Sequence, residues 1–163
     1  MAILIKNSQK QTKLNRKLIA TVTGELLAYL KLQDRDLSIL FVDDRKIAVM
    51  NAEFFGKDRP TNVISFSYLD GMPEEALGDI IISAERAAEE AREAAIPFYQ
   101  RLFDLIVHGV VHIVGYDHTK GAAEARRMRY REKKLMGLVI ENPDFQRFVH
   151  LPEDHRALEK GIK

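Results

Sequence analysis

The sequence predicts an α+β domain, a small mixed β-sheet packed with about five helices around one central buried helix. Two observations predict it. Short apolar runs rich in β-branched residues fall in the first half of the chain, whereas stretches of helical periodicity dominate the second. The segment Phe98 to Val114 is apolar around nearly its whole circumference, the pattern of a helix surrounded by protein on all sides.

The elements follow in order. Ala2 to Ile5 reads as a strand, after which Leu14, Leu18, Val22, Leu26 and Leu30 recur at helical spacing. Leu37 to Val42 (LSILFV) is a second strand, ended by Asp43 and Asp44, either of which can cap a helix carrying Ile47, Val49, Met50 and Phe54. Gly56 to Pro60 (GKDRP) is a polar loop, and TNVISFSY after it has strand composition. Past the loop LDGMPEEA, Gly78 to Ser83 (GDIIIS) is a further strand, with Ser83 placed to cap an Ala/Glu/Arg-rich helix to Ala95. Pro97 suits the start of the central helix, and Gly115 stops that helix by permitting a left-handed backbone turn. Thr119 is positioned to cap a last long helix through Met136. Residues 1–140 are thus expected to form a single catalytic domain, with 141–163 a charged, proline-broken C-terminal extension that is partly mobile.

Bulk composition narrows the function classes. A chain of 163 residues can bury one substantial core, and 46% hydrophobic with 30% charged residues is ordinary globular composition. Lys plus Arg (25) nearly cancel Asp plus Glu (24), so any nucleic-acid contact must rest on local patches. With no cysteine there is no disulfide framework, thiol nucleophile or thiolate metal site, and a metal would have to be held by His, Asp or Glu. The amino terminus has only a four-residue apolar run before Lys6, and no later run approaches spanning length, so the expected location is cytoplasmic, with no membrane partner.

Three of the five histidines fall in HGVVHIVGYDH, His108 to His118. Residues four apart share a helix face, so His108 and His112 can present two imidazole nitrogens to one point. Gly115 lets the chain turn sharply, and His118 can return a third nitrogen from outside the helix. This is the spacing of the H-E-x-x-H-x-x-G-x-x-H zinc motif, and three protein ligands leave a fourth position open for water, as in catalytic sites. The central helix is therefore expected to carry metal ligands. One letter differs: Gly109 stands where metalloproteases have their glutamate base, which argues against peptide hydrolysis by the usual route. Asp117 either orients a ligand or caps the following helix.

With these residues in view, the sequence resembles the YbeY family of bacterial endoribonucleases. The resemblance rests on GKDRPTNVISF (Gly56 to Phe66), LGDIIIS (Leu77 to Ser83) and HGVVHIVGYDH, in that order. It implies one zinc ion per chain held by His108, His112 and His118, an α+β fold, and cleavage of single-stranded RNA. The implied role is 16S ribosomal RNA 3'-end maturation and ribosome quality control, with the small ribosomal subunit as partner. Family members often carry Tyr-Arg where this chain has Phe54-Phe55, and Arg59 is the candidate to stabilise phosphoryl charge in place of that arginine.

A phosphodiester is already anionic, so a cation on the phosphoryl oxygens and a nearby guanidinium lower the barrier without a strong adjacent base. Either a metal-bound water or the ribose 2'-hydroxyl can serve as nucleophile. Lys57, Arg59, Arg126 and Arg127 are the candidate RNA contacts; Glu132 is the only acid between Arg126 and Lys134. Asp79, heading an apolar strand, is either a structural carboxylate or a site residue. Two other functions fit the same residues: a metal-dependent hydrolase of peptide or amide bonds, and a non-catalytic zinc-containing ribosome assembly factor.

Overall fold

The computed structural model describes residues 3–69, 71, 74–115 and 121–149. Asp117, His118 and Thr119 lie outside the described residues, so the third expected ligand and the two expected caps after Gly115 have no structural account.

Four strands form one mixed sheet: β1 (Ile3–Asn7), β2 (Asp36–Val42), β3 (Val63–Ser67) and β4 (Ala76–Ser83), in the order β1-β2-β4-β3. β2 runs parallel to both β1 and β4, and β3 is antiparallel to β4. Among the described residues six helices accompany the sheet: α1 (Arg16–Tyr29), α2 (Asp44–Phe55), α3 (Ala84–Ala94), α4 (Phe98–Ile113), α5 (Ala122–Glu141) and α6 (Pro143–Val149). No described helix is long and apolar enough to cross a membrane.

Strand alternation divides the interior in two. Leu37, Ile39, Phe41, Ile80 and Ile82 point into the main core, which they share with α1, α4, α5 and α6. On the other face Val42, Ile64 and Ile81 meet Ile47 of α2 in a smaller core, with Leu40, Met50 and Phe66 at its margin.

Of the expected caps, Asp43 and Ser83 are present, and Asn15 supplies a further one that the sequence reading did not name. Asn15 Oδ1 accepts the Leu18 N–H at 3.0 Å at the head of α1, and Asp43 Oδ1 accepts the Lys46 N–H at 2.8 Å at the head of α2. Gly56 ends α2 at φ 67, a left-handed turn that a side chain would strain. Ser83 accepts the Arg86 N–H at 3.1 Å and donates its hydroxyl to Asp44 at 2.7 Å, while Arg86 pairs with the same carboxylate at 2.9 Å, so the starts of α2 and α3 are tied together.

Two boundaries differ from the sequence reading. α5 runs through Gly137 to Glu141, because Met128, Leu135 and Val139 keep one stripe of it buried and no left-handed turn stops it at the glycine. The chain then folds again. Asn142 Oδ1 accepts the N–H groups of Asp144 (2.9 Å) and Phe145 (3.0 Å), with Pro143 at the first helical position, and α6 follows. Phe145 and Phe148 are buried in the main core, edge-on to Phe103 and Tyr99 respectively. As far as Val149, then, the segment read from sequence as a charged extension is packed helix.

α4 is the central helix. From Arg101 to Ile113 every residue is buried except Arg101, Asp104, His108 and His112. Those four lie at spacings of three and four, so they form one stripe along an otherwise apolar helix.

Candidate active site

Three members of that stripe, Arg101, Asp104 and His108, line a cleft of about 470 Å³. Its polar wall comes from three places: Arg101, Asp104 and His108 on α4, Glu132 and Lys133 on α5, and Asn62 at the entrance to β3. α4 is held against the sheet by close contact. A β-carbon on Gly109 would come within 2.9–3.1 Å of the Ile80 side chain, and one on Gly78 would come within 2.4 Å of the Phe66 carbonyl oxygen and 2.7 Å of the Ile113 Cδ1. Ser67 Oγ donates to the Ile113 carbonyl at 2.8 Å, holding the last turn of α4.

Gly109 thus points at β4, away from the polar stripe. A glutamate side chain at this helix position would start out against Ile80. The cleft nevertheless contains carboxylates, since Asp104 and Glu132 both line it.

His108 and His112 stand one turn apart with ring centroids 4.7 Å apart and planes at 69°. Glu132 Oε2 lies 2.5 Å from His108 Nδ1, across the α4–α5 interface. Arg101 pairs with Glu90 at 3.0 Å and with Asp104 at 3.6 Å, and the Asn62 amide reaches the same Glu90 carboxylate at 3.4–3.5 Å. Burial raises the Asp104 carboxyl above its ordinary range; the neighbouring Arg101 opposes this and Glu132 adds to it.

The other candidates are placed as follows. Lys57 and Arg59 are exposed on the loop after α2, where the Arg59 carbonyl accepts the Asn51 side-chain amide at 3.0 Å; neither lines the cleft, although Asn62 and Val63 of the same stretch do. Arg126 and Arg127 lie on an exposed face of α5 with Tyr130 and Arg131, and Arg127 pairs with Glu124 at 3.0 Å. Asp79 accepts the Tyr68 hydroxyl at 2.7 Å and borders a different pocket, with Leu40, Phe54 and Phe66. This contact raises the Tyr68 phenol above its ordinary range. Phe55, where the resemblance leads to an expectation of arginine, stacks on Phe66 with centroids 6.0 Å apart.

Arg101, Asp104 and the Glu132 contact are what sequence reading missed. A signal existed for the first two, which precede His108 by seven and four residues and so share its face.

With this geometry in place, the likeness to known proteins is informative. Residues 4–139 match the family model described as Endoribonuclease YbeY. The chain is 42% identical over 144 residues to the protein of that name from Geobacter sulfurreducens, covering 85% of this chain and 96% of the relative. It is 38% identical over 148 residues to the one from Syntrophus aciditrophicus, covering 88% and 92%. A solution structure from Thermotoga maritima superposes with a TM-score of 0.63 at 29% identity, over 87% of this chain and 94% of that one. The chain belongs to the Endoribonuclease YbeY family.

Proposed function

We propose that this protein is a zinc-dependent endoribonuclease that cuts single-stranded RNA in the cytoplasm, acting in 16S ribosomal RNA 3'-end maturation and ribosome quality control. One observation carries the reading: in a chain of this family, the only partly exposed residues between Arg101 and Ile113 are a polar stripe that ends in two imidazoles set edge-on to each other.

The donor set suits a divalent transition ion. Two imidazoles on one helix face, one of them hydrogen-bonded through its other ring nitrogen to a carboxylate, are the usual surroundings of zinc-ligating histidines. His108, His112 and His118 would hold one zinc ion. When bound, zinc supplies Lewis-acid polarisation of a phosphoryl oxygen. The chain's own residues do the rest. Arg59, on the loop that leads into the cleft wall at Asn62, is the proposed guanidinium for the developing phosphoryl charge. Lys57, Arg59, Arg126 and Arg127 contact the RNA backbone, and the small ribosomal subunit is the expected setting.

Gly109, facing Ile80, argues against an amide hydrolase built on the protease pattern. Phe55 stacked on Phe66 is the observation favouring a ribosome assembly factor that binds zinc and does not cut. End-labelled single-stranded RNA decides between cutting and non-cutting. The proposal predicts discrete cleavage by wild type, a 100-fold or so loss in Arg59→Ala, and little cleavage of the same sequence in a duplex. RNA or small-subunit binding with no cleavage by zinc-replete wild type would establish the assembly factor instead.

A further inference from the structure

Glu132 lies 2.5 Å from His108, and the zinc reading uses that contact only as a sign of a metal-ligating histidine, without giving the carboxylate a role of its own. The residue sits on α5, its partner His108 on α4, and the two side chains are 22% and 29% exposed. They come from 24 positions apart in sequence, so tertiary packing brings them together.

The contact decides which nitrogen of His108 holds the proton. An ionised carboxylate only accepts hydrogen bonds, so Nδ1, 2.5 Å from Oε2, must be the donor. In the neutral ring the lone pair is then on Nε2. An unrestrained imidazole in water prefers the opposite arrangement, with its proton on Nε2, so this tautomer is one that the fold selects. The edge-on contact with His112 fixes the plane of the same ring from a second side.

We infer that Glu132 is a positioning residue: by accepting the Nδ1–H of His108 it fixes the tautomer and ring plane that turn the Nε2 lone pair toward a metal ion. The metal half of this inference rests on the zinc reading above. The tautomer half does not.

The test uses the full-length chain at one mildly alkaline pH, as purified and after chelator treatment, with folding followed by circular dichroism. Long-range ¹H–¹⁵N correlations of the imidazole ring report the His108 tautomer, and competition against a chelator of known affinity reports zinc binding. Wild type is expected to show the Nδ1–H form. Glu132→Ala should shift to the Nε2–H form and bind zinc roughly 10–100-fold more weakly. Glu132→Gln, whose side-chain oxygen still accepts from Nδ1–H, should keep the wild-type tautomer and recover most of the affinity, and it also carries the test if the alanine variant melts. An unchanged tautomer in Glu132→Ala overturns the inference. So does a Glu132→Gln variant as weak for zinc as the alanine, since that marks Glu132 as a direct ligand or a bare charge. A wild type that binds no zinc removes the proposed function, and the tautomer comparison still decides the role of Glu132.

Discussion

A β-carbon added to Gly109 of α4 would come within 2.9 Å of the Ile80 Cδ1 on β4. This contact sets how closely the histidine helix lies on the sheet. Gly109→Ala gains helix propensity of about 1 kcal/mol but meets all three outer carbons of Ile80, an overpacking that costs roughly 1–3 kcal/mol. A net loss of stability is predicted in urea titration. Ile80→Val removes Cδ1 and should offset part of that loss in the double variant. Additive effects of the two substitutions would show that this contact does not limit the approach.

Arg126 and Arg127 lie on an exposed face of α5, away from the His108 cleft, so their predicted contribution is to RNA affinity and not to the cleavage step. Each phosphate contact on a single strand contributes about 0.7 to the slope of log K against log salt. Arg126→Ala and Arg127→Ala should each weaken binding of unrelated single strands alike and flatten that slope, with kcat under saturation unchanged. A sequence-selective loss, or a loss confined to kcat, would contradict this placement.

Tyr99 gives the fold an alkaline limit. Burial in the main core pushes its phenol up from 10.0 to about 12, against a smaller opposing effect from the Asn15 N–H, which donates to the hydroxyl at 2.8 Å. The raised value means the folded state disfavours phenolate. This group's contribution to stability is whole below about pH 10, where the unfolded phenol titrates, and is lost as pH rises toward 12. The loss amounts to about 2–3 kcal/mol. Tyr99→Phe should start about 1–3 kcal/mol less stable, with the buried Asn15 N–H left without its acceptor, and should decline less steeply across that range. Parallel curves for the two proteins would refute this account.

The segment 143–149 belongs to the packed interior. Phe148 is 3% exposed and lies 4.9 Å from Tyr99, centroid to centroid. Phe148→Ala is expected to cost roughly 3–5 kcal/mol, and truncation after Glu141 at least as much. A truncated chain that melts like the full one would show that α6 is dispensable.

Much of the fold was legible in the sequence because local signals agreed with it. Asp43 and Ser83 cap the helix starts, the short apolar runs LSILFV and GDIIIS mark strands, and apolar residues all round Leu102 to Ile113 identify the buried helix. α6 was obscured because seven residues are too few to show periodicity, and the charges around Asn142-Pro143 hid a helix start. In the site, His108 and His112 were legible because one-turn spacing on a single helix puts them on one face. Glu132 was not, since its approach to His108 depends on how α5 crosses α4. Asp104 was passed over although it stands on the same face of the same helix.

The central claim is a metal-dependent cleavage centre at the histidine stripe of α4, and metal content together with cleavage tests it most directly. Wild type and His112→Ala, both purified without a histidine tag, would be measured for zinc per chain by elemental mass spectrometry and then assayed on single-stranded RNA. The account predicts about one zinc per chain and cleavage in wild type, with both lost in the variant. A variant that retains cleavage, or a wild type that cleaves without any bound transition metal, would contradict it.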